Sequence, residues 1–255
     1  MKISKSHLLD GKTISITGSK SISNRLLILG KLFGDLKIEN LSNSQDTQLL
    51  QKALNEDSET VDIHHAGTAM RFLTSFYAIQ EGRKTILTGS ERMKQRPIKP
   101  LVDALRELGA EINYLENEGF PPLEIQGKKI DKNFVKIPAN ISSQFITSLL
   151  LIGASLENGL EIELQGEITS RSYIKMTLKI LKDIGVETRF EGNTIKILSA
   201  ASSLSNQKLD RHYHSSKIKH YTVESDWSSA SYFYSLVAIG KKKMHLKSFY
   251  AHSLQ

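Results

Sequence analysis

The 255 residues carry 34 Lys and Arg against 27 Asp and Glu, a net charge of +7, with 39% hydrophobic residues and no cysteine. That composition suits a folded globular chain of one large or two smaller domains; it excludes disulfides, thiolate metal sites and a cysteine nucleophile. No run reaches the roughly 18–20 apolar residues of a membrane span, and Met1-Lys2-Ile3-Ser4-Lys5 is followed by no apolar signal region.

The first predicted elements are a short strand, Thr13 to Ile16, a turn, Gly18-Ser19-Lys20-Ser21-Ile22-Ser23-Asn24-Arg25, and a helix through Leu26 to Leu29. Leu41 to His65 holds one helix, around Asp46 to Leu54, and little room for strands. A helix then starts at Ala66-Gly67-Thr68 and carries Arg71 and Phe72, and a strand follows from Arg83 to Thr88. The basic loop Arg92 to Ile98 leads to a helix from Leu101, closed by Gly109 in a left-handed C-cap. Glu111–Tyr114, Leu123–Ile125 and Phe134–Ile137 make a β cluster. The pattern then repeats: a helix start at Ser142-Ser143-Gln144-Phe145, a strand at Leu160–Leu164, a helix from Ile174 closed by Gly185, and strands at Val186–Phe190 and Thr194–Leu198. Gly109 and Gly185 lie 76 residues apart, too long for a solenoid unit. Internal duplication of a βαβαββ module fits this period. Ala200 to His220 reads as a polar surface loop, and a further helix near Ser228 and a strand, Met244 to Phe249, begin a module of which the chain holds only the first part.

Chemistry concentrates at the helix starts. A helix N-terminus offers unpaired N–H groups and a partial positive charge, so it attracts anions. The first turn adds Lys20, several hydroxyls and Arg25; Ser21 and Arg25, four apart, share a helix face. The same residues also describe an ordinary Ser-capped helix with a solvated Lys and Arg. Similar starts recur at Ala66-Gly67-Thr68, Ser142-Ser143-Gln144, Ser170-Arg171-Ser172-Tyr173 and Ser228-Ser229, so several N-termini gathered around one anion compete with simple capping. Arg92, Lys94 and Arg96 suit a second anion, or a solvated basic loop. His64-His65 has no companion ligand at metal spacing, and no Walker or dinucleotide fingerprint is present. Net charge favours an anionic partner, nucleic acid or a small phosphorylated metabolite; 7% aromatics and no basic–aromatic motif speak against nucleic acid.

Five ordered stretches resemble the 5-enolpyruvylshikimate-3-phosphate synthases: Gly18 to Arg25, Ala66 to Arg71, Arg92 to Ile98, Ser142 to Phe145 and Val223 to Phe233. The resemblance implies an α/β (α+β) inverse β-prism of the enolpyruvyl transferase type, built from repeated βαβαββ units. It implies residues 18–223 as a complete three-repeat domain, with 1–17 and 224–255 as parts of a second, incomplete one. The implied reaction moves the enolpyruvyl group of phosphoenolpyruvate to the 5-hydroxyl of shikimate 3-phosphate, in chorismate and aromatic amino acid biosynthesis, without metal or cofactor. A cytoplasmic, monomeric enzyme with no membrane partner is expected. Carried over by motif, Lys20, Ser21, Arg25, Ser142, Ser143, Gln144, Ser170 and Tyr173 hold shikimate 3-phosphate, and Lys20, Gly67, Arg96 and Gln144 hold phosphoenolpyruvate. Arg71 and Asp226 are hinge or structural residues, Asp226 being expected to pair with Arg25 or Arg71. The family's base and second catalytic carboxylate match no position up to Gln255, so this chain is expected to be inactive alone. Departures are His65, often Asn in the family, and Ser172, often Pro. Two alternatives stand beside this reading: a non-catalytic shikimate-3-phosphate-binding domain, and a carboxyvinyltransferase acting on a UDP-sugar, against which the missing cysteine and the Lys-Ser-x-Ser-Asn-Arg run both speak.

Overall fold

The computed structural model describes residues 7–34, 36–199 and 220–255. The chain opens with β1 (Lys12–Ile14), α1 (Lys20–Phe33), β2 (Lys37–Glu39) and α2 (Gln45–Asn55). Two like units follow. The first holds β3 (Thr60–Asp62), α3 (Gly67–Ala78), β4 (Lys84–Thr88), α4 (Lys99–Leu108), β5 (Glu111–Tyr114) and β6 (Leu123–Gln126). The second holds β7 (Phe134–Pro138), α5 (Ser143–Gly153), β8 (Leu160–Gln165), α6 (Arg171–Asp183), β9 (Thr188–Glu191) and β10 (Thr194–Ile197). The chain closes with β11 (His220–Thr222), α7 (Trp227–Gly240) and β12 (Met244–Leu246).

Each unit forms one four-stranded sheet of the same topology, β3-β4-β6-β5 and β7-β8-β10-β9. The first pair is parallel, Val61 opposite Leu87 and Val135 opposite Ile162, and the other pairings are antiparallel. The sequence-based grouping of Phe134–Ile137 with the first β cluster is therefore corrected: this strand opens the second sheet, because its partner is β8, beyond α5. The stretch before His65 also differs from expectation. It contains β3, three residues long, which is too short to show alternation and is held by β4. β2 pairs in parallel with β11, and β1 with β12, across more than 180 residues of chain; neither β2 nor β11 was visible as a pattern. The expected polar loop falls on residues 200–219, outside the described residues, and His220 belongs to β11. Gly109 and Gly185 do adopt positive φ, 110° and 87°, at the ends of α4 and α6.

The sheets alternate buried and exposed positions, so one face of each meets the helices. Between them α3 and α5 are buried on nearly every side, as helices apolar all round must be. They pack on each other and on α1. Small residues bring the two backbones close: Ser75 Oγ donates to Ser148 Oγ at 2.6 Å, which in turn donates to the Arg71 carbonyl at 2.5 Å.

Two connecting segments cross side by side below α1. Gly18 and Ser225 form an antiparallel bridge, Ser19 N–H donates to Glu224 O at 2.8 Å, and Asp226 N–H donates to Thr17 O at 3.0 Å. A Cβ on Gly18 would overlap the Asn40 carbonyl and the Val223 side chain, so only glycine lets these backbones meet. The buried Glu224 carboxylate ties the crossing together, accepting from Trp227 Nε1 (2.8 Å), Tyr250 N–H (2.9 Å), Ser253 Oγ (2.6 Å) and Gln255 Nε2 (3.1 Å). Burial pushes its pKa up, but these hydrogen bonds outweigh burial and hold it below the usual carboxylate range.

A cationic cleft at four helix N-termini

α1, α3, α5 and α6 all begin at one end of the domain. Their first turns enclose a cleft of about 200 Å³ lined by Lys20, Ser21, Arg25, Thr68, Phe72, Ser143, Gln144 and Tyr173. None of these four helices has an acidic residue in its first turn. Within those turns their positive ends meet no acidic side chain and add to the charges of Lys20 and Arg25. No residue lining the cleft is acidic.

Arg25 is the buried centre of this charge, 4% exposed. Its Nε donates to Thr177 Oγ1 at 2.8 Å, Nη1 to Ser21 O at 2.6 Å, and Nη2 to Thr147 Oγ1 at 3.3 Å and Tyr173 O at 3.5 Å. The rings of Phe72 and Tyr173 lie 5.8 and 5.9 Å from the guanidinium carbon. Every one of these partners is neutral. Burial lowers the Arg25 pKa to about 10, with a weaker opposing effect from Tyr173, so the group stays a cation at neutral pH. Among the described residues no carboxylate pairs with Arg25, so its buried charge has only neutral partners.

A second cavity, about 690 Å³, is lined by His65, Ser90, Arg92, Met93 and Arg96. The start of α3 lies beside both cavities. Thr68 lines the cleft and accepts from Gln144 Nε2 at 3.5 Å, while the backbone of Gly67 lies against the Arg96 guanidinium so closely that a Cβ would overlap it. Of the three cations in the basic loop, Arg92 and Arg96 face this cavity. Lys94 instead pairs with Glu116 at 2.9 Å and Glu91 at 3.4 Å. His65 Nε2 lies 2.9 Å from Gln45 Oε1.

The structure thus brings together Lys20, Ser21, Arg25, Ser143, Gln144 and Tyr173, and places Gly67 against Arg96. Neither Ser142 nor Ser170 lines the cleft; they are the N-caps of α5 and α6, one residue before Ser143 and three before Tyr173. Ser142 Oγ accepts from Gln144 N–H at 3.3 Å, whereas the Ser170 side chain makes no cap bond and its backbone is left-handed, φ 54°. The expected pairing of Asp226 with Arg25 or Arg71 is corrected. Asp226 caps α7, its Oδ1 accepting from Ser229 N–H at 2.6 Å. Thr68 stands in the Ala66-Gly67-Thr68 start that the sequence singles out, whereas sequence reasoning missed Phe72, Thr147 and Thr177. Phe72 was within reach, four residues beyond Thr68 on the same helix face. Thr147 and Thr177 meet Arg25 only through tertiary packing.

Duplicated βαβαββ sheets around buried helices, with a cationic cleft at the helix N-termini, define a domain of the enolpyruvyl transferase type. Solved structures of EPSP synthase from Acinetobacter baumannii share this fold: one covers 97% of this chain and 57% of its own length at a TM-score of 0.72 and 18% identity. The sequence model of EPSP synthase (3-phosphoshikimate 1-carboxyvinyltransferase) matches residues 51–255, and the chain belongs to that family. It is 47% identical over 248 residues to a 3-phosphoshikimate 1-carboxyvinyltransferase of Bacteroides fragilis strain YCH46, covering 95% of this chain and 56% of the relative. Against the Haemophilus influenzae Rd protein of that name the identity is 40% over 263 residues, covering 91% and 58%. The chain spans about half the length of the curated relatives it matches. Among the described residues, no helix is long and apolar enough to cross a membrane.

Proposed function

We propose that this chain supplies the shikimate-3-phosphate wall, and part of the phosphoenolpyruvate wall, of a 3-phosphoshikimate 1-carboxyvinyltransferase. The observation that carries this reading is the meeting of four helix N-termini and a buried, acid-free Arg25 on one cleft. In the proposed arrangement Ser142, Ser143 and Ser170, at the starts of α5 and α6, receive the 3-phosphate. Ser21, Arg25 and Tyr173 hold the carboxylated ring, and Lys20 and Gln144 reach both substrates. Gly67 and Arg96 hold phosphoenolpyruvate. Charge-assisted hydrogen bonds of this kind contribute roughly 1.5–3 kcal/mol each.

The reaction adds the 5-hydroxyl of shikimate 3-phosphate to C2 of phosphoenolpyruvate, protonates C3, and then expels phosphate as the C3 proton leaves. The residues named here bind, orient and stabilise developing negative charge. With no Asp or Glu in the cleft lining, they furnish no carboxylate base. The domain division proposed follows the two crossing segments, with 18–223 as the binding domain between them. A monomer in the cytoplasm completes the reading.

Isothermal titration with shikimate 3-phosphate, phosphoenolpyruvate and a UDP-sugar tests it. Binding of the first, strengthening the second, supports the proposal; binding of the UDP-sugar alone overturns it. Turnover by the 255-residue chain alone would show that this wall does contain the proton-transfer groups.

A further inference from the structure

Arg71 is the second buried cation, 4% exposed and paired with no carboxylate among the described residues. It does not line the cleft. Its Nη2 donates to the Pro97 carbonyl at 2.9 Å. Its Nη1 donates to the Gly67 carbonyl at 3.3 Å and lies 3.6 Å from Met93 Sδ. The Phe145 ring, one residue after Gln144, sits 5.9 Å from the guanidinium carbon. These contacts link three separate pieces of chain: the first residue of α3, the basic loop immediately after Arg96, and the first turn of α5. A buried methionine would fill the same volume without desolvating a charge, so packing alone does not account for an arginine here. Burial, and then the neighbouring Arg96, lower its pKa to about 10, which leaves it charged at neutral pH.

We infer that Arg71 is a positioning residue: its guanidinium fork, bridging the Gly67 and Pro97 carbonyls, fixes Arg96 against the N-terminus of α3. The two groups it spaces are those read above as the phosphoenolpyruvate contacts, so the inference rests on that reading for its functional meaning. The geometry it asserts stands without it. The fork shape matters, because an ammonium at this position is a single point donor and holds one of the two carbonyls at a time. The anionic ligand never touches Arg71; the residue acts through where it places Arg96.

The test uses the full chain with Arg71→Met, Arg71→Lys, Arg96→Met and the Arg71→Met/Arg96→Met pair. Amide hydrogen exchange reads the loop directly. The expected result for Arg71→Met is a tenfold or greater rise in exchange over residues 90–97, with β4 and β6 unchanged. Phosphoenolpyruvate, titrated in the presence of shikimate 3-phosphate, should bind at least tenfold more weakly, while shikimate 3-phosphate alone changes less than threefold. Arg71→Lys should fall between wild type and Arg71→Met. In the Arg96→Met background, Arg71→Met should cause less than a twofold further loss. Unchanged exchange over 90–97, exchange raised equally throughout the sheet, or additive losses in the double variant would each overturn the inference. If the wild-type chain binds neither ligand while the exchange change remains local, the clamp is supported and the functional reading of the cleft is what fails.

Discussion

Replacing Arg25 by methionine should separate binding from folding. The guanidinium is 4% exposed, and burial pushes its pKa down from the ordinary arginine value to about 10. At 1.36 kcal/mol per pKa unit, that depression corresponds to about 3 kcal/mol by which the fold disfavours the charge. For a cation with a lowered folded-state pKa, the unfolded chain binds the proton more tightly. The penalty is therefore fully present below about pH 10 and is relieved as pH rises from there toward the ordinary arginine value. Methionine removes it, but also removes two short charge-assisted hydrogen bonds, to Thr177 Oγ1 and the Ser21 carbonyl, each worth about 1.5–3 kcal/mol net, and two longer ones at 3.3 and 3.5 Å. Thr177 Oγ1 keeps a partner in the Tyr173 carbonyl at 2.8 Å, and Thr147 lies 3.4 Å from it, so few groups are left stranded. The two effects oppose each other and leave a net loss between none and about 3 kcal/mol. Without ligand, Arg25→Met should unfold no more than about 8 °C below wild type, at roughly 2–4 °C per kcal/mol for a chain of this size. The stabilisation of wild type by millimolar shikimate 3-phosphate should vanish in the variant, since losing one charge-assisted contact weakens binding by about ten- to a hundredfold. Thermal unfolding with and without ligand reads both. A drop of more than about 8 °C in the unliganded variant, or an unchanged ligand shift, would show that Arg25 is a strut and refute the argument.

Other outcomes follow from the same geometry. Gly67→Ala places a methyl where the Arg96 guanidinium lies, so Arg96 must move; phosphoenolpyruvate affinity should fall at least about tenfold, with thermal stability within about 3 °C of wild type. Gly18→Ala pushes a methyl into the Asn40 carbonyl at the strand crossing, and should cost about 1–3 kcal/mol, read as a lower unfolding midpoint in urea. Glu224 is held below the usual carboxylate range, so its contribution is present above the unfolded-state pKa and lost as pH falls through the folded one; Glu224→Gln should flatten the acid limb of a stability–pH curve, and an unchanged limb would assign acid sensitivity elsewhere.

Much of the site was legible because its chemistry is local. Lys20, Ser21 and Arg25 share one turn, and Gly67 precedes Thr68 on another, so helix-start composition revealed them. The repeat of 76 residues, with its glycine caps, likewise announced two equivalent units, and the structure gives both the same strand order. Three-residue strands were not legible, because β2, β3 and β11 are strands only by virtue of distant hydrogen-bond partners. The fate of individual charges was also undetermined. Nothing local distinguishes Lys94, spent on Glu91 and Glu116, from Arg92 and Arg96, which face the cavity. Asp226 and the buried arginines looked like partners, yet a cap bond to its own helix satisfies the acid first. The sequence by itself thus determined which residue types stand at each helix start, since capping and dipole effects act within a turn. Only the tertiary structure decided that four such starts face one another, because that depends on packing α1, α3, α5 and α6 side by side around a shared core.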